Sequence, residues 1–91
     1  MEVIKYLGNR LAEFTTISPP RARGLIKLAV IDEFGPFKPL QQVTYKELKM
    51  VIENALKKRL LSLEINDIDN IIEELLDLLA RFQSLIVMEN I

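Results

Sequence analysis

The chain has 91 residues, 49% hydrophobic, 7% aromatic and 27% charged, with four prolines and three glycines, a make-up that fits one folded domain spanning 1–91 and excludes a second domain or a disordered tail. It has no cysteine and no histidine, which excludes disulfides, thiolate nucleophiles, Cys/His zinc sites, histidine general bases and histidine pH switches. Twelve Lys and Arg against thirteen Asp and Glu give a formal charge of -1, so net charge draws the molecule neither to nucleic acid nor to an anionic membrane.

The N-terminal stretch carries Lys5 and Arg10 where a signal peptide needs an unbroken apolar region, so no export is expected. The longest apolar runs, such as Leu28-Ala29-Val30-Ile31, fall far short of the roughly 20 residues that span a bilayer. A soluble, cytoplasmic protein is expected. The lack of Cys and His and the scarcity of amides suit a thermophile.

From Glu2 to about Thr15, apolar residues at Val3, Ile4, Leu7, Leu11 and Phe14 have the 3-4-7 spacing of one helical face. Ile17-Ser18-Pro19-Pro20 ends that helix and starts another, because Ser18 suits an N-cap and Pro19 is pre-organised for a first helical turn. The second helix runs through Ala22, Leu25, Ile26, Leu28, Ala29, Val30 and Ile31 to Phe34, and Gly35-Pro36 stops it. Its apolar residues go nearly all the way round, the pattern of a central helix covered on several sides.

Residues 37–43 read as an extended connector with room for one short strand. Thr44-Tyr45-Lys46-Glu47 has the form of a capping box, and Val43 and Leu48 sit where the accompanying hydrophobic staple requires. The third helix is expected to bury Tyr45, Leu48, Val51, Ile52, Ala55 and Leu56, leaving Lys49, Glu53 and Lys57 as an exposed i,i+4 series. After a link from Leu60 to Ile65, Asn66 is placed as the N-cap of a fourth helix, with Asp67 and Asp69 in its first turn. That helix runs to about Phe82. Ile68, Ile71, Ile72, Leu75, Leu76, Leu78, Leu79 and Phe82 cover about half its circumference, more than one packed face uses. The last stretch, residues 84–89, either extends this helix or forms a short C-terminal strand, for which Ile86-Val87 is suited. The expected fold class is all-α, a compact four-helix domain.

From Ala22 onward, the order of buried helix, turn-rich connector, capped helix, short link, amphipathic helix and terminal Leu85-Ile86-Val87 run resembles a winged helix-turn-helix domain. The resemblance covers about three quarters of the chain and is one of pattern, without a diagnostic motif. It implies a module that binds DNA or makes protein contacts in transcription and replication complexes. Two departures disfavour DNA. The chain leaves no room for a paired wing hairpin, and the helix that would enter the groove carries Asp69, Asn70, Glu73, Glu74 and Asp77 against only Arg81, where phosphates demand cations.

Arg21, Arg23, Lys57, Lys58 and Arg59 are the candidates for nucleic-acid contact; the blander reading is a solvated helix start and a cationic helix C-terminus. Asp69, Glu73 and Asp77 lie at i, i+4 and i+8, but carboxylates on one straight helix diverge into water, so an acidic face that meets a basic partner is preferred to a metal site. The hydroxyls have no histidine to activate them and there is no glycine-rich phosphate loop, so neither catalytic residues nor a cofactor are expected. Surplus apolar surface on a small chain marks an interface. The expected one uses Leu7, Leu11, Phe14, Leu78, Phe82 and Leu85, with Met50 and Met88 at its edge. The leading expectation is thus a non-enzymatic interaction module, a homodimer or a small accessory subunit of a larger intracellular complex; the alternative is a winged helix-turn-helix DNA-binding regulator.

Overall fold

The computed structural model describes residues 2–83, and of Glu2 the backbone alone. The expectations for residues 84–89, including the strand and the roles of Leu85 and Met88, lie outside the described residues. Within them the fold is all-α, four helices around one apolar core: α1 (Glu2–Glu13), α2 (Pro19–Phe34), α3 (residues 45–62) and α4 (Ile68–Arg81). The 37–43 connector contains a short 3₁₀ turn, Leu40–Gln42, and no strand.

Local chemistry sets the ends of the helices. α1 stops at Glu13, two residues earlier than its apolar spacing suggests, because Phe14 turns back to the Leu11 carbonyl and the Thr15 hydroxyl donates to that same carbonyl at 3.0 Å. Ser18 is the N-cap residue of α2 and Pro19 opens the helix. Gly35, at φ 86°, closes α2 by donating its amide to the Ile31 carbonyl at 2.8 Å, a left-handed conformation that suits glycine. The capping box of α3 forms as read: the Glu47 amide donates to Thr44 Oγ1 at 3.2 Å, and the Thr44 amide to Glu47 Oε1 at 3.0 Å. Val43 and Leu48, the two arms of the staple, are both fully buried.

α3 is not a uniform helix. Tyr45–Val51 is α-helical, Ile52–Leu56 is a π turn, and Lys57–Ser62 is α-helical again. Leu48, Ile52, Leu56 and Leu60 are all fully buried although they recur every four residues. In a regular helix at 3.6 residues per turn, Leu60 would lie about 120° round from Leu48. The π turn takes up about one extra residue, or about 100°, and returns Leu60 to the core face. It also breaks the expected Lys49–Glu53–Lys57 series: Lys57 instead pairs with Asp69 of α4 at 3.2 Å.

The α3–α4 link begins with a Schellman turn. The Ile65 amide donates to the Leu60 carbonyl at 3.3 Å and the Glu64 amide to that of Leu61 at 3.0 Å, so Glu64 occupies, at φ 57°, the left-handed position where glycine is usual. Asn66 does not cap α4. The N-cap residue is Asp67, itself at φ 60°, and its side chain accepts from Asn70 Nδ2 at 3.3 Å rather than from a helix amide.

All four helices feed the core, and none of its described members is polar or charged. α1 and α2 approach closely at Gly8, where a Cβ would stand 2.9 Å from the Arg23 backbone. α2 is covered by α1 and α3 but not all the way round: Ala22, Leu25, Ile26, Ala29 and Val30 are buried, whereas Leu28 and Ile31 are 44% and 43% exposed. α4, in contrast, spends its wide arc on its own chain. Ile68, Ile71, Ile72, Leu75 and Leu79 are buried, and Leu76, Leu78 and Phe82 pack partly against them.

Candidate interaction surfaces

The expected partner interface divides when placed on the fold. Leu7 and Leu11 are fully buried; they belong to the chain's own core and are not available to a partner, because the same α1 stripe that looks like an interface in sequence is what holds α1 to its neighbours. Phe82 is partly buried and stacks on the exposed Tyr6, ring centroids 5.1 Å apart and planes 10° from parallel. Leu78 is half-buried beside that stack, and Phe14 is exposed in the turn after α1.

These last residues edge two shallow grooves that share Glu13. One, of about 490 Å³, lies between the α1–α2 turn and the α3–α4 link and is lined by Phe14, Leu63, Ile65, Glu13 and Glu64 among others. The other, of about 240 Å³, runs along α1 past Tyr6, Asn9 and Arg10 to Leu78. Glu13 pairs with Arg10 at 3.4 Å, both at the surface.

The acidic face of α4 is partly neutralised within the chain. Asp69 takes Lys57, and Asp77 takes Arg81 at 3.0 Å, one turn along the helix. Glu73 and Glu74 are exposed without a partner among the described residues. No three carboxylates among the described residues converge as metal ligands.

The five candidate cations do not form one free cluster. Arg59 makes a two-pronged bond to Asp32 of α2, with Nη2 donating to Oδ1 at 3.0 Å and Nε to Oδ2. That guanidinium holds the Asp32 carboxyl below its ordinary value, and Asp32 in turn raises the pKa of Arg59. Lys57 is held by Asp69, and Arg23 donates to Asn9 Oδ1 at 3.1 Å. Only Arg21 and Lys58 stay without a partner among the described residues.

Two surfaces went unread in the sequence. The outer side of α2 presents Arg21, Gly24, Leu28 and Ile31, which fall within about 80° of one another on a helical wheel; a Cβ on Gly24 would meet nothing within 4 Å. Beyond the end of α2, Phe37 is 92% exposed. Its loop is fastened around it by Pro36 and Pro39, and by Lys38, whose ammonium pairs with Glu47 at 3.0 Å and lies 5.6 Å from the Phe34 ring centre. The near-zero amphipathicity of α2 was the available signal for its outer face, since a helix apolar on both sides needs two coverings.

No described helix is long and apolar enough to cross a membrane. In comparisons with known proteins, the chain matches no family model, no curated protein and no solved structure.

Proposed function

We propose that this protein is a non-enzymatic interaction module that works by burying apolar surface against a protein partner, as a homodimer or as a small accessory subunit of a larger complex. The observation that carries the reading is the set of large apolar side chains left outside a closed core: Phe37 at 92%, Leu61 at 56%, and Leu28 and Ile31 above 40% exposed. An aromatic held out on a fastened loop enters a partner's pocket with little further ordering, which favours association. Glu73 and Glu74 leave negative charge on α4 that steers a basic counterpart.

DNA binding by a winged helix-turn-helix module is the second reading, and its cations are the weak point. Three of the five, Arg23, Lys57 and Arg59, already have partners in the chain. The two readings differ in salt response. Duplex binding weakens steeply with salt as counterions are released, whereas an apolar protein interface holds. Sedimentation of the full chain at rising concentration in low and moderate salt, alongside gel shifts with random-sequence duplex, tests them. Association that survives moderate salt supports the module; a duplex shift lost at moderate salt, without protein association, overturns it.

A further inference from the structure

We propose that the partner for the outer face of α2 is a second copy of this chain, packed antiparallel about a two-fold axis that passes near residues 27–28. The inference rests on the interaction-module reading and assigns it one surface and one occupant.

The side chains along that face run in a definite order. A cation, Arg21, stands near its N-terminal end, apolar Leu28 at its middle, and Ile31 with the carboxylate of Asp32 towards its C-terminal end, while the exposed Lys27 lies at its border. Such a face is complementary to itself when reversed, as a two-fold interface requires. Arg21 of one copy then approaches Asp32 of the other. Arg59 leaves that carboxylate 41% exposed, and a carboxylate has lone pairs enough for two guanidinium groups.

The same axis places Leu28 opposite Leu28 and Ile31 over Gly24 of the second copy. Gly24 is the one position on the face without a side chain, and its surroundings are open, so a facing isoleucine can settle on bare backbone. Phe37, just past the end of α2, falls beside the exposed Pro19 of the other helix. Antiparallel helices also oppose their dipoles favourably. One axis therefore gives a covering to Leu28, Ile31 and Phe37 together.

The chain has no cysteine, so single cysteines report contacts cleanly. Leu28→Cys should give a covalent dimer under mild oxidation, whereas Leu61→Cys, on α3 and more exposed than Leu28, should stay monomeric on denaturing gels. In sedimentation equilibrium, Leu28→Lys and Ile31→Lys should each weaken self-association at least tenfold, while the circular dichroism melting curve stays that of the parent at concentrations where both are dissociated. Gly24→Ala should weaken association and raise the melting temperature of the monomer. If the parent is a monomer at all concentrations, the inference fails, and capture of another protein through Phe37 would leave the module reading standing. If the parent dimerises but Leu28→Cys does not cross-link and Leu28→Lys changes nothing, this face is wrong although self-association is right.

Discussion

Deleting Asn54 tests the account of α3. Asn54 is exposed and lies in the π turn Ile52–Leu56. Removing a residue from a regular helix rotates everything beyond it by about 100°. Here the π turn already carries one residue too many, so the deletion converts it to regular helix and leaves the flanks in register. From Leu48 to Leu60 there would be eleven steps instead of twelve, which brings the two within about 20° of each other on a regular helix. The change is confined to the turn, chiefly the Ala55 methyl, so the cost should stay below about 1.5 kcal/mol. The control is deletion of the exposed Glu73 in α4, which has no such turn. Rotation there moves Leu75 and Leu79, both fully buried, off the core face, at about 1.5–3 kcal/mol each, a large part of a small domain's stability. Urea unfolding followed by far-ultraviolet circular dichroism suits a chain without tryptophan. If loss of Asn54 unfolds the protein as loss of Glu73 does, the register argument is wrong.

Gly8→Ala should destabilise by about 1–3 kcal/mol in the same assay, since its Cβ would press on the Arg23 backbone in a packed contact; an unchanged midpoint would show that α1 and α2 can separate freely. Glu64→Gly should stabilise by about 1 kcal/mol by relieving a left-handed conformation at φ 57°, and a loss of stability would point to an unrecognised role for its carboxylate. The Thr44 amide, with Lys38, holds the Glu47 carboxyl below its ordinary 4.5, so its ionised form adds stability above that pH which disappears as pH falls through the lowered value. Glu47→Gln should therefore melt below the parent at pH 7, with the gap closing as the pH drops well under 4.5. A gap that widens in acid would reverse the assigned sign.

How much could be read without coordinates differs by element. Thr44 with Glu47, Pro19, and Gly35 with Pro36 each act through neighbours a few residues away, and each does what local chemistry dictates. The α3–α4 link was harder because its left-handed residues are Glu64 and Asp67, neither of which announces the turn as glycine would. The π turn did leave a trace, since apolar residues at 48, 52, 56 and 60 keep a strict period of four that a regular helix cannot hold on one side. Which apolar side faces water was the least legible matter. Leu7 and Leu28 are equally apolar in a helical pattern, and only the arrangement of neighbouring helices buries the first and exposes the second.

The interior built by these helices holds no polar or charged member among the described residues, and this shifts the source of conformational uniqueness. A purely hydrocarbon centre accepts many arrangements of similar volume at similar free energy, and it contains no hydrogen bond that a wrong arrangement would break. Choice among them then falls to the periphery: the reciprocal cap at Thr44, the contact at Gly8 and the bridge from Arg59 to Asp32. Swapping Leu for Ile or Met inside should leave a folded but less singular protein, whereas damage at those three boundary points should decide which fold the same interior adopts.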